Sequence, residues 1–344
     1  MTRFIQLHLL TSYPPSNLNR DDAGNPKTAR VGGIERLRIS SQSLKRAWRT
    51  ADVFQQRLAG NIGTRTKRLG REAFQAFIDA GIAEKKATEW ASQIAKVYGS
   101  VKKDQPLEIE QLVHIAPEER ETLDALIRKI AEEKREPSGE ELKTLLHEQH
   151  AVDIAMFGRM LAAQPDYNAE AAVQVAHAFG VHASVIEDDY FTAVDDLNVS
   201  DSGAGHVGEA GFAAAVFYQY VCIDRDRLKE NLAGDEALTK KALGALAEAV
   251  LTVGPSGKQN SFASRARAHY ALAEKGPQQP RSLSLAFVAP VTGVNYAADA
   301  ISALKKIQQN MDAVYGDCAD SRCEIDVLAG HGTMKEFVEF ASAE

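Results

Sequence analysis

The densest group of chemistry-bearing side chains runs from Ser40 to Arg49, where Ser40, Gln42, Ser43, Lys45 and Arg49 gather at the start of a segment with helical spacing. The first backbone N–H groups of a helix lack internal partners and sit at the positive end of its dipole, so hydroxyls and cations placed there make an anion site. Arg20 and Lys27 in the preceding loop would extend that site into a track, which suits a polynucleotide backbone better than a mononucleotide. A capped surface helix with salt bridges is the alternative reading of the same residues. A second basic loop, GPSGKQNSF, offers Lys258, but Gln259 follows the lysine where a P-loop needs Ser or Thr, so nucleotide hydrolysis is not expected. Asp21 and Asp22 are the acids placed where a metal and a phosphate could meet, although loop caps are their commoner use. Cys318, Cys323 and His331 lack a fourth ligand and a familiar spacing, so neither a zinc site nor any other cofactor is expected.

The elements that carry these groups stand out by charge. The 344 residues hold 40 Lys and Arg against 47 Asp and Glu, a net −7 that by itself argues against a polyanion partner. Residues 1–50, however, contain nine basic residues and three acids, a local +6, which leaves −13 on the rest. A basic segment on an acidic body is the pattern of a localised polyanion site. With 44% hydrophobic and 25% charged residues, the chain has the composition of an ordinary globular protein of about two domains. Three cysteines, and no run long enough for a membrane span, lead us to expect a cytoplasmic protein without disulfides.

FIQLHLL alternates as a strand with one buried face, and TSYPPSNLNRDDAGNPKTA reads as a long loop. RVGGIERLRI reads as a hairpin arm bent at Gly32 and Gly33, its outward side made basic by Arg36 and Arg38. Ser40 and Ser41 can cap the helix whose stripe is Leu44, Ala47, Trp48, Ala51 and Leu58. Residues 60–150 read as a mostly helical insertion that also holds the basic GTRTKRLGR. AVDIAMFGRM is expected to be extended and Glu170 to Phe179 helical. The glycine-rich 198–211 is expected to be a protruding loop, and AAVFYQYVCI a central strand whose Tyr218 and Tyr220 belong to the core. A helix over Leu238 to Leu251, the strand LSLAFVAPV, a helix over Ala298 to Met311 and a short terminal helix complete the chain. This order fits an α+β, ferredoxin-like core. His8 and His182 sit in apolar patterns where a structural role is commoner than a ligand role.

Several motifs together, NLNRDD, Lys27, the Gly32–Gly33 pair, RISSQSLKRA, DIAMFGRM, FTAVDDL, HVG and VFYQY, resemble the CasC family, the backbone subunit of the type I-E CRISPR surveillance complex Cascade. That resemblance implies an RRM-like palm over 1–59, 166–189 and 216–344, helical fingers over 60–165 and a thumb over 190–215. It implies a non-catalytic protein without cofactor whose copies stack head to tail, six in the family, along CRISPR RNA and beside other Cascade subunits. It also implies that Arg20, Lys27, Ser40, Gln42, Lys45, Arg49 and Lys258 bind guide phosphates. Met160, Tyr190, Phe191, Thr192, Val194 and Val207 would then wedge between nucleotides where the guide pairs with target DNA. Relatives in type III complexes cut RNA with an Asp of the N-terminal loop, so a metal-dependent endoribonuclease using Asp21 or Asp22 is the competing expectation. A general single-strand binder is a third.

Overall fold

The computed structural model describes residues 3–146, 151–161, 164–194, 197 and 206–343. In chain order the first elements are β1 (Phe4–Ser16), β2 (Thr28–Val31), β3 (Ile34–Ile39), α1 (Ser41–Arg49), α2 (Asp52–Arg57), β4 (Thr64–Thr66), α3 (Leu69–Asp79), α4 (Glu84–Tyr98), β5 (Val113–Ile115), α5 (Pro117–Glu133), α6 (Gly139–Lys143) and α7 (Val152–Phe157). There follow β6 (Val173–Val175), β7 (Ala178–Gly180), β8 (Glu187–Ala193), β9 (His206–Asp224), α8 (Arg225–Asn231), α9 (Glu236–Thr252), α10 (Gln259–Phe262), β10 (Tyr270–Gly276), α11 (Tyr296–Tyr315), β11 (Ser321–Asp326) and α12 (Met334–Ser342). The chain divides into two units. One comprises Met1–Phe54, Gln174–Ile223 and Leu243–Glu344; the other comprises Gln55–Val173 and Asp224–Ala242.

In the first unit a mixed α/β architecture is built on a single sheet, in which the described strands run β11-β10-β1-β9-β7-β3-β2, with β6 and β8 also pairing with β9. β1 is antiparallel to β10, from Phe4 opposite Gly276 to Leu10 opposite Tyr270. Contrary to the expected single buried face, both faces of β1 are buried. Ile5, Leu7 and Leu9 line one face, and on the other Gln6 and His8 are as enclosed as Leu10. The polar pair is tolerated because it is hydrogen-bonded: Gln6 Oε1 accepts from Tyr220 Oη at 2.9 Å and from the Arg281 N–H at 2.8 Å, and the His8 ring lies between Tyr218 and Glu274. On this side Leu10, Val216, Tyr218, Tyr270, Leu283 and Phe287 pack against Ile301 and Leu304 of α11. Tyr218 is thus a core residue, as the alternation indicates.

β2 and β3 form the expected hairpin, Val31 opposite Ile34, with Gly32 and Gly33 at φ of 62° and 82°, a turn conformation that glycine adopts without steric cost. Its basic outward side needs correction at Arg36. That side chain is fully buried, donating from Nη1 to the Phe287 carbonyl at 2.6 Å and from Nη2 to the Val288 carbonyl at 3.1 Å. Arg38 remains at the surface, half-buried. The loop before the hairpin is also shorter than its composition suggests, because β1 continues through Pro14 and Pro15 to Ser16.

Three further expectations are overturned. LSLAFVAPV is not a strand; Ser284–Phe287 form a 3-10 turn, with Leu283 just before it and Phe287 at its end filling the core, and the strand beside β1 is Tyr270–Gly276. Residues 170–179 are not helical; β6 and β7 lie there, with Phe179 paired to Tyr218 of β9, so sheet hydrogen bonds outweigh helix periodicity. The described end of the glycine-rich stretch, from His206 onward, is the first part of β9 rather than loop; residues 198–205 lie outside the described residues.

The second unit is helical apart from the β4–β5 pair, with a core around Phe77, Trp90, Ile94, Leu123, Ile127 and Ile130. AVDIAMFGRM, expected to be extended, forms α7, whose Val152 to Met156 are buried on every side, a pattern that carries no periodicity. Asp153 at its start accepts the Gly63 N–H at 2.8 Å and pairs with His114, while Arg159 makes a buried ion pair with Glu119 at 2.7 Å. The charged residues of that motif therefore hold this unit together. Among the described residues no helix is long and apolar enough to cross a membrane.

Candidate nucleic-acid interface

All seven residues of the expected phosphate track lie in the first unit. Ser40 caps α1: its Oγ accepts the Ser43 N–H at 3.3 Å, and the first turn contains no acid to neutralise the positive end of the helix. Leu44 and Trp48 anchor the helix in the core, Trp48 donating from Nε1 to the Val253 carbonyl at 3.3 Å. With that face fixed, Gln42 is exposed and Lys45 and Arg49, one turn apart, emerge half-buried on another.

The loop carrying Arg20 and Lys27 is tied to this helix by asparagines. Asn19 Oδ1 accepts the Ser40 N–H at 2.9 Å, its carbonyl accepts the Lys27 N–H at 2.7 Å, and the Lys27 carbonyl accepts the Arg38 N–H at 2.8 Å. Asn17 is buried and donates to the Gly24 and Gly211 carbonyls at 2.9 and 2.8 Å. The loop is thereby held as a rigid shelf from which Arg20 projects, exposed. Asp21 serves the shelf itself: its Oδ1 accepts the Ala23 and Asn25 N–H groups, both at 2.9 Å. Asp22 is exposed beside it. Among the described residues no group of three His, Cys, Asp or Glu is placed to hold a metal ion.

Lys258 joins the same surface through its neighbour. Gly257 packs on the carbonyl oxygens of Leu18 and Asn17 so closely that a Cβ would overlap the first of them, which holds the exposed Lys258, at the start of α10, beside the shelf.

Two further residues join the cluster, and one of them, His177, is not apparent from the sequence pattern. Arg38 donates from Nη1 to His177 Nδ1 at 3.1 Å, and the Ser41 N–H reaches the same nitrogen at 3.2 Å. His177 sits between β6 and β7, and partial burial with the charges of Arg38 and Lys27 holds its pKa below 6.5. Arg38 opens the RISSQSLKRA motif and is legible there as a basic residue; an isolated histidine 139 positions away carries no such signal.

The expected wedge residues of 190–207 lie on the β8–β9 hairpin, with Tyr190 opposite Glu209, Phe191 opposite Gly208 and Thr192 opposite Val207. Tyr190, Phe191, Val194 and Val207 are exposed, at 62%, 43%, 67% and 49%, with Tyr190 and Val207 on one face of the pair and Phe191 on the other. Exposed Glu187, Asp188, Asp189 and Glu209 accompany them, so the charge here is acidic where the shelf is basic. Residues 195, 196 and 198–205 of the expected thumb lie outside the described residues. Met160 belongs to the second unit, where it is 77% exposed.

The first unit thus combines a large sheet, a basic shelf anchored to the N-terminus of α1 and, on β8 and β9, exposed apolar side chains. A family model described as CT1975-like protein matches residues 5–339, and the chain belongs to that family. Among solved structures it is similar to a chain of "CRISPR RNA-guided surveillance complex, pre-nicking", 29% identical with a TM-score of 0.85, over 98% of this chain and 100% of that one. It is also similar to a chain of "CRISPR RNA-guided surveillance complex", 25% identical with a TM-score of 0.75, over 98% and 99%. No curated protein matches. The family resemblance carried by the sequence motifs is borne out.

Proposed function

We propose that this chain is a guide-RNA-binding backbone subunit of a CRISPR surveillance complex of the type I-E class. Its copies pack head to tail along the guide, beside other subunits, and present the bases for pairing with target DNA; the chain itself does no chemistry and works in the cytoplasm. The observation that carries this reading is the shelf of Arg20 and Lys27 locked through Asn19 onto the N-terminus of α1, with Lys45 and Arg49 along the helix. Such groups grip phosphates and leave bases unread, which is what a protein serving every guide sequence needs. In this reading the first unit supplies palm and thumb and the second the fingers. The order β10-β1-β9-β7, with helices between β1 and β7 and between β9 and β10, supports a ferredoxin-like palm. The hairpin residues Tyr190, Phe191, Thr192, Val194 and Val207 would unstack a base at intervals; Met160, exposed on the second unit, is a separate candidate wedge. Asp21, whose carboxylate already accepts two loop amides, weighs against the endoribonuclease alternative.

The test is the salt dependence of RNA binding. Lys45→Ala and Arg20→Ala are expected to weaken binding equally for all spacer sequences and to lower the log–log salt slope by ~0.7 each. An unchanged slope in both variants would remove the track from the account.

A further inference from the structure

We propose that His177 is a proton-coupled positioning residue of this track, an internal acceptor that gives up its place to a guide phosphate as it takes up a proton. The inference rests on the guide-binding reading and adds a residue and a linkage to it. Two donors converge on His177 Nδ1, the Ser41 N–H at 3.2 Å and Arg38 Nη1 at 3.1 Å. Nδ1 has one in-plane lone pair, so accepting either bond requires a ring that is unprotonated at that nitrogen. His177 thus occupies, in the free chain, a backbone donor of the first turn of α1 and a guanidinium that would otherwise face an anion.

The charged groups that bear on the ring are Arg38 from β3 and Lys27 from the shelf, with the positive end of α1 as the third neighbour. All three disfavour imidazolium, which keeps the ring neutral and accepting. A phosphate lodged among Arg38, Lys27 and the Ser41 N–H reverses the balance, because an anion at that distance favours the charged ring. One proton then moves from solvent to Nδ1, the two donors turn to phosphate oxygen, and the imidazolium supplies a further N–H. His177 is exposed, so the exchange requires no opening of the core.

The test is the affinity of the full-length chain for a labelled single-stranded RNA of one repeat and one spacer, from about pH 8 to about pH 6. The wild type is expected to gain affinity as pH falls, by up to about tenfold per unit where free and bound states differ in protonation. His177→Asn, whose amide oxygen can still accept the Ser41 N–H, is expected to lose that gain, its affinity staying level from about pH 8 to about pH 6. In the wild type, the imidazole resonance of His177 is expected to titrate at higher pH with RNA than without. Parallel pH profiles for wild type and variant, or an unshifted resonance, would overturn the proposal and leave the track standing. Failure of the wild type to bind RNA at any pH would overturn the guide-binding reading and this proposal with it.

Discussion

Asn19 and Ser40, 21 positions apart, share a hydrogen bond of 2.9 Å in which the asparagine side chain accepts the amide of the residue that caps α1. The bond makes one rigid object of the loop that carries Arg20 and Lys27 and the helix that carries Gln42, Lys45 and Arg49.

Asn19→Ala is therefore expected to cost about 1–2 kcal/mol of stability through an amide left without its partner, and to weaken RNA binding although Asn19 carries no charge. Denaturant midpoints and RNA titrations check both. A variant with the wild-type midpoint would show that the shelf is held by other contacts.

Arg36 and Arg38 are two residues apart on β3 and should behave oppositely. Arg36 donates to buried carbonyls, and each hydrogen bond to a charged group contributes ~1.5–3 kcal/mol, so Arg36→Met should lower the unfolding midpoint strongly and leave the salt slope of RNA binding intact. Arg38→Ala should do the reverse. A reduced salt slope for a folded Arg36 variant would place that guanidinium in the interface after all.

How much of this is legible in the sequence follows from the same residues. The hairpin, the cap and the first turns of the stripe are local features, written in Gly32, Gly33, Ser40, Leu44 and Trp48, and they stand where the pattern puts them, although the helix expected to carry the stripe on through Ala51 to Leu58 ends at Arg49 and α2 begins at Asp52. β10 is hidden in the sequence because Glu274 and Lys275 interrupt its apolar run; both are buried, Glu274 among His8, Arg281 and Arg322, and two of those partners lie far away in sequence. α7 does not show as a helix because one buried all round has no polar face to reveal its period. Arg36 and Arg38 look alike in a sequence, and only the carbonyls of Phe287 and Val288, 251 and 252 positions away, distinguish the structural arginine from the surface one.

The buried polar cluster under β1 predicts how stability responds to acid. Burial, outweighing the favourable contact with Glu274, holds His8 below its ordinary 6.5, and its Nδ1 and Nε2 are engaged by Tyr218 Oη at 3.0 Å and Glu274 at 3.2 Å. Burial pushes Glu274 up, but hydrogen bonds from His8 and Arg281 outweigh it and leave the carboxyl well below the usual range. Both groups bind fewer protons folded than unfolded. Stability should therefore be full above about pH 6.5, begin to fall below it as unfolded His8 protonates, and fall more steeply below about pH 4.5 as unfolded Glu274 does. Each proton that only the unfolded chain binds lowers stability by about 1.4 kcal/mol for every pH unit of acidification. A Tm that stays level from pH 7 down to pH 4 would contradict this.

Phe191 tests the hairpin. Phe191→Ala removes the ring that lies over Gly208 and should leave guide affinity nearly unchanged, because the acids around it disfavour a phosphate contact. It should dim a 2-aminopurine placed at an unstacked position of a guide–target duplex, since an apolar wedge sustains an unstacking that costs roughly a few kcal/mol. Equal fluorescence in wild type and variant would deny Phe191 that role.

The central claim is that this surface holds a CRISPR guide, and the most direct measurement is to purify the tagged chain from its native host, extract the nucleic acid it carries and sequence it. The account predicts RNAs made of one spacer flanked by repeat sequence, lost in a Lys45→Ala, Arg20→Ala double variant. Mixed cellular RNA without repeats, or none, would contradict it.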